Sequence, residues 1–235
     1  MNLLMVYGRL YRECAEKTLA GLRKNAWTLL LPVALFWIWT LLRGVLGFAG
    51  GMIGGILLAL VLDGLVSCYL YFTGEVVSLS RVRLNELKRS IGAYFWSVVN
   101  LNFLIFIVNY LLGMLLRGNS NAGYVYLLVW LLMVVLLNPA PEVIYITGTY
   151  GGVATIQRCI AFIQANWIEW FVPNLAFAAI GYFALPLLMF PQLVIVSSFL
   201  LGALVHVAMV FRGNLYKALD GTSHRQRMYR YRAAR

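Results

Sequence analysis

Charged side chains are few in this sequence: Asp, Glu, Lys and Arg together make 11% of its 235 residues, while apolar types make 62%. Soluble domains carry about a quarter charged residues, so a water-exposed globule is excluded; a bilayer, itself an apolar solvent, removes the difficulty. Histidine occurs twice, too little for most metal or multi-haem sites. Three cysteines, Cys14, Cys68 and Cys159, form no CxxC pair, and their odd number argues against a disulfide framework. No phosphate-cradling GxxxxGK[ST] loop and no HExxH helix is present. The first ten residues lack a basic region ahead of an apolar run, so a cleavable signal peptide is not expected.

What the sequence does have is long charge-free runs. Residues 25–42, 44–62, 90–116 and 118–141 carry no charge, and 170–211 is uncharged over 42 residues. A spanning helix needs roughly 20 apolar residues, so the last run holds two, separated at Pro186 and Pro191. The expectation is an all-α polytopic membrane protein with six spans near 26–43, 51–73, 95–116, 122–147, 168–189 and 192–213. Residues 1–217 form one membrane domain and 218–235 a basic tail.

Of the 19 Lys and Arg residues, 17 fall on one side of these spans; only Arg43 and Arg117 flank the short turns on the other. The positive-inside rule places both termini in the cytoplasm. The net charge of +11 is then mainly a topology signal with some pull toward anionic lipid, not a nucleic-acid signature.

Residues 3–22 place Leu3, Tyr7, Leu10, Tyr11, Cys14, Thr18 and Leu22 on one helix face. Arg12/Glu16 and Glu13/Lys17 stand at i,i+4 opposite. Such a helix is expected to lie along the membrane surface. Similar stripes recur at Leu84, Leu87, Ile91 and Tyr94 and at Ile156, Ile160, Ile163 and Trp167. Each runs into an odd-numbered span that opens with a tryptophan, Trp27, Trp96 or Trp167, at spacings of 69 and 71. Asn25…Pro32 and Asn166…Pro173 repeat an Asn and a Pro seven apart. The expected unit is a cytoplasmic amphipathic helix followed by a hairpin, three times over (1–75, 76–147, 148–217).

The basic or amide junction Leu22-Arg-Lys-Asn-Ala-Trp27, the proline-interrupted Asn138-Pro-Ala-Pro-Glu142 and the run Ile163-Gln-Ala-Asn-Trp-Ile-Glu-Trp170 carry a resemblance. Over most of 1–217 the chain resembles the broad bacterial six-span group that includes the YciC-like family and the membrane domain of some glycerophosphodiester phosphodiesterases. That resemblance implies a bacterial inner-membrane location and no established reaction; the phosphodiesterase catalytic domain has no counterpart here.

Intramembrane charge is costly, at least ~2.5–3.5 kcal/mol per group at a helix centre, and is a functional candidate by default. Asp63 lies about 12 residues into its span, roughly 18 Å at ~1.5 Å per residue. His206 and Asn138 fall at comparable depth. One reading joins Asp63 and His206 as an ion-binding or proton-responsive pair; the other makes all three interhelical glue at ~0.6 kcal/mol or more each. Glu142, beside the helix-breaking Pro139 and Pro141, is a second candidate, or else an interfacial carboxylate next to a kink. Asn102 and Asn109 share a face of the third span. A lone His206 could ligate a haem, but no cofactor is implied. Gly50/Gly54 and Gly51/Gly55 have the small-xxx-small spacing of close helix contact. The tail arginines Arg225, Arg227, Arg230, Arg232 and Arg235 suit anionic lipid or an acidic partner. Two functions compete: a non-enzymatic scaffold or accessory subunit of a membrane assembly, with partners at the surface helices and tail, and a transporter or channel using the mid-depth polar groups. A lipid-modifying enzyme lacks an acid–base pair.

Overall fold

A computed structural model describes residues 3–47, 51–148, 151–190, 194–222 and 226. Among these the chain is helical, with no strand. Helix α1 is Leu3–Lys24, α2 Leu31–Gly47, α3 Gly51–Val77, α4 Leu87–Ala93, α5 Phe95–Leu115, α6 Ala122–Leu136, α7 Ala140–Thr147, α8 Gly152–Ala184 and α9 Val194–Leu219. Six segments are long and apolar enough to cross a bilayer: Ala26–Leu46, Ile53–Val77, Leu87–Leu115, Ala122–Thr147, Gly152–Leu187 and Val194–Leu219. The protein is therefore an all-α, multi-pass membrane protein. Several spans run longer than the charge-free windows, because a helix continues past the charged residues that bound such a window.

Three residues turn the chain from a preceding helix into a span. Asn25 (φ −133°, ψ 43°), Tyr94 (φ −123°, ψ 8°) and Asn166 (φ −138°, ψ 21°) share one non-helical conformation. At Asn25 the backbone N–H bonds to Leu22 O at 3.1 Å, leaving Gly21 O without its helical donor; Asn25 Nδ2 supplies one at 3.2 Å. Asn166 Nδ2 makes the same i−4 bond to Phe162 O at 3.2 Å. An asparagine at a break is thus a local solution to a lost helix hydrogen bond.

The expected amphipathic helix is present as α1. Its apolar face is covered by protein rather than left for lipid: Val6, Leu10, Cys14, Thr18 and Leu22 are buried, packed against α9 and α3. Asn214 Nδ2 donates to Thr18 Oγ at 3.1 Å, Tyr11 Oη to Glu169 O at 3.1 Å, and Lys24 Nζ to Leu79 O at 3.3 Å. The helices of the basic end therefore knit into one layer. In α4 the expected stripe is inverted. Leu87 and Ile91 are about half exposed, whereas Ser90 is fully buried against α3, where Ser67 Oγ donates to Ser90 O at 3.1 Å. Apolar periodicity in a lipid-bathed protein marks the lipid face as readily as the core, which reverses the inference that holds in water. The Gly51/Gly55 expectation also fails: a Cβ on either would meet open space. Gly50 lies outside the described residues. A close approach occurs instead at Gly21, where a Cβ would sit 2.7 Å from Val76 O.

Core packing is uneven. Phe162, Trp170 and Tyr216 cluster where α8 meets α9: Phe162 stacks on Tyr216 with ring centroids 4.4 Å apart and meets Trp170 edge-to-face at 5.1 Å. By contrast α6 has no buried residue; it leans on α8, and its half-buried positions Ala122, Val125, Val129, Met133 and Leu136 form a single stripe.

Candidate functional site

The fourth span breaks at residues 137–139. Leu137 and Pro139 leave the α-helical path, and α7 restarts at Ala140 with Pro141 in its first turn, where a missing N–H costs nothing. The break frees the Asn138 carbonyl and sets Glu142 in the first turn of α7, where peptide dipoles favour a carboxylate.

Glu142 is fully buried. Arg212 of α9 reaches it: Nη2 lies 2.9 Å from Glu142 Oε2 and also donates to Asn138 O at 2.5 Å. The guanidinium carbon stands 5.1 Å from the centroid of the Trp170 ring, a cation–π distance. Trp170 Nε1 donates to Asn138 Oδ1 at 2.8 Å. Asn138 thus accepts from both residues, and the break, the ion pair and the tryptophan form one unit joining α7, α8 and α9. Glu142 Oε1 and Arg212 Nε are buried with no hydrogen-bond partner. Sequence reasoning missed Arg212, because its place at the end of a charge-free run reads as an interfacial topology charge. A signal was available in the helical pattern of apolar residues that continues past it through Leu215, Tyr216 and Leu219.

His206 is fully buried in α9. Its Nε2 lies 3.0 Å from Thr28 Oγ and its Nδ1 3.4 Å from Tyr69 Oη. Thr28 spends its hydroxyl proton on Asn25 O at 2.7 Å, so it can only accept from the imidazole. Nε2 therefore carries a proton and donates to Thr28. Both ring nitrogens are engaged.

Asp63 sits on α3, nearly buried, and accepts from Asn102 Nδ2 of α5 at 2.6 Å. Asp63 and His206 do not form the pair that their similar depth suggested; each has its own partners. Asn109 bonds its own helix, Nδ2 to Ile105 O at 2.8 Å, and stays exposed. Asn138 and Glu142 do come together, through Arg212. Arg225, Arg227, Arg230, Arg232 and Arg235 lie outside the described residues.

Two grooves among the spanning helices are apolar and open. One of about 230 Å³ between α2, α3 and α9 is lined by Pro32, Phe36, Trp39, Leu62, Tyr69 and Val205 among others. Among the described residues no three His, Cys, Asp or Glu side chains gather as a metal site. Comparisons with protein families, with curated proteins and with solved structures find no match to this chain.

Proposed function

We propose that this integral membrane protein is a non-enzymatic scaffold or accessory subunit of a membrane assembly. The observation that carries the reading is α6, the first part of the fourth span, none of whose residues is buried within this chain. Trp130 and Leu128 on it are more than half exposed. Lipid is one cover for such a face; the accessory-subunit reading has a neighbouring protein cover it and supply the packing this lightly held helix lacks. The interior polar groups support the same reading: Asp63, His206 and Asn138 spend their hydrogen bonds tying helices together, and Glu142 pairs with Arg212 across α7 and α9.

The location belongs to this proposal too: a bacterial inner membrane with both termini cytoplasmic, supported by the 17-to-2 split of Lys and Arg and by the resemblance to the YciC-like group. Three like-oriented repeat units are also proposed, supported by the shared backbone conformation at Asn25, Tyr94 and Asn166.

The test is purification of the full chain from native membranes in mild detergent, beside reconstitution in liposomes. A stoichiometric partner and no solute flux are expected. A second reading, a transporter, is favoured by one feature: the helix break beside a buried ion pair whose Oε1 and Nε lack partners. Flux abolished by Glu142→Gln or Asp63→Asn would establish it and remove the first.

A further inference from the structure

Asp63 stands near the middle of the 27-residue α3, the depth at which an unanswered charge is most costly to a spanning helix. Two buried carboxylates of this chain are treated differently. Glu142 is answered by Arg212, 2.9 Å away. Asp63 has a neutral partner, Asn102, whose Nδ2 donates to Oδ1 at 2.6 Å. That bond satisfies one oxygen and leaves the charge. None of the ion pairs among the described residues includes Asp63, and among those residues no donor reaches its Oδ2.

The pair sits at the start of an uncovered strip. Asn102 is exposed on α5, although it lies within a span. One and two turns further from the basic end, Ile56, Ala59 and Leu60 of α3 are exposed, and so are Phe106 and Asn109 of α5. Lipid tails cover the apolar members of this strip but have no hydrogen bond to give the polar ones. Asn102 Nδ2 is committed to Asp63, so what the pair has left to offer is acceptor oxygens, Asp63 Oδ2 and Asn102 Oδ1, beside a negative charge.

We propose that a spanning helix of a partner protein packs on this α3–α5 strip and brings a lysine or arginine at mid-depth, whose cation donates to the two free oxygens and neutralises Asp63. The need for a positive charge at that depth sets aside a second copy of this chain: every Lys and Arg in its spans lies within about two turns of a span end. It also sets aside the chain's own tail, because five arginines within residues 225–235 keep that stretch out of hydrocarbon. The inference rests on the accessory-subunit reading and gives that subunit's partner a chemistry.

The probe is a synthetic spanning peptide of leucine and alanine with one central arginine. It carries a donor dye and is reconstituted in phosphatidylcholine vesicles with the full chain, labelled with an acceptor at its C-terminus. Energy transfer should report association about 10-fold tighter than for the same peptide with a central leucine. The preference should vanish in Asp63→Asn. It should vanish equally with the unaltered protein when the arginine is moved about two turns toward either peptide end, a comparison that needs no variant to fold. Equal association of the arginine and leucine peptides, or a preference indifferent to Asp63→Asn or to depth, overturns the proposal. A central glutamine that serves as well as arginine makes the contact a neutral hydrogen bond and overturns the cation. Energy transfer between copies of the full chain that Asp63→Asn abolishes makes the occupant a second copy and overturns the partner. In native membranes, a stoichiometric partner still retained by Asp63→Asn overturns this contact and leaves the subunit reading standing. The absence of any such partner overturns that reading itself.

Discussion

Glu142 and Arg212 each need the other. A carboxylate or guanidinium withdrawn from water is tolerated when paired and hydrogen-bonded, and removing one partner strands the second. Glu142→Ala or Arg212→Ala should each lower stability by about 3–5 kcal/mol, whereas Glu142→Leu with Arg212→Met should cost far less. Equilibrium unfolding in mixed micelles measures both; equal losses in the single and double variants would reduce the pair to ordinary packing. Cys14 gives a pH dependence. Burial pushes its thiol from the ordinary 9.0 to about 12. Tyr11 beside it is raised from 10.0 to about 12, by burial first and then by Glu169. Both groups are neutral when protonated and fold best that way. Their contribution is therefore complete below pH ~9 and lost as pH climbs toward ~12, the folded values. Stability should fall over that alkaline window, and Cys14→Ala should flatten the first part of the fall. In the folded protein at pH 8, Cys14 should resist alkylation until the chain unfolds, because the thiolate is the reactive form.

At the scale of elements, α1 is a helix whose apolar face packs on protein. Its docking depends on Gly21, whose hydrogen faces the Val76 carbonyl. Gly21→Ala should cost roughly 1–3 kcal/mol through backbone displacement. Gly55→Ala, at an open helical position, should leave stability unchanged or raise it by up to about 1 kcal/mol. The same micelle unfolding assay decides between them, and the reverse order would return the close contact to the glycine-rich turn. Helix α4 behaves in the complementary way. Leu87 and Ile91 keep a helical period, yet the residue that fixes the helix is Ser90, because between two apolar phases hydrogen bonds and shape discriminate where hydrophobicity cannot.

For the whole molecule, packing is concentrated at the basic end and around α9, while the α6 side is thin. Leu128→Ala on α6 should change unfolding by no more than about 0.5 kcal/mol, as exposed sites do, while weakening partner retention in a pull-down from native membranes. Retention unchanged across Leu128→Ala, Trp130→Ala and Leu132→Ala would detach α6 from the proposed interface.

Membrane class, six apolar spans, their order and the breaks at Asn25, Pro139 and Asn166 were all determined by the sequence itself, because each is a local property. Charge-free length measures lipid compatibility, and proline or a capping asparagine interrupts the ladder in which it sits. Partners were not local. That Asp63 meets Asn102, that His206 lies between Thr28 and Tyr69, and that Arg212 answers Glu142 depend on helix rotations and depths. Inside a bilayer, apolar patterning constrains those rotations weakly. Only the tertiary structure decided them, by bringing donors and acceptors that stand as far apart in the chain as Thr28 and His206, 178 positions, within hydrogen-bond reach.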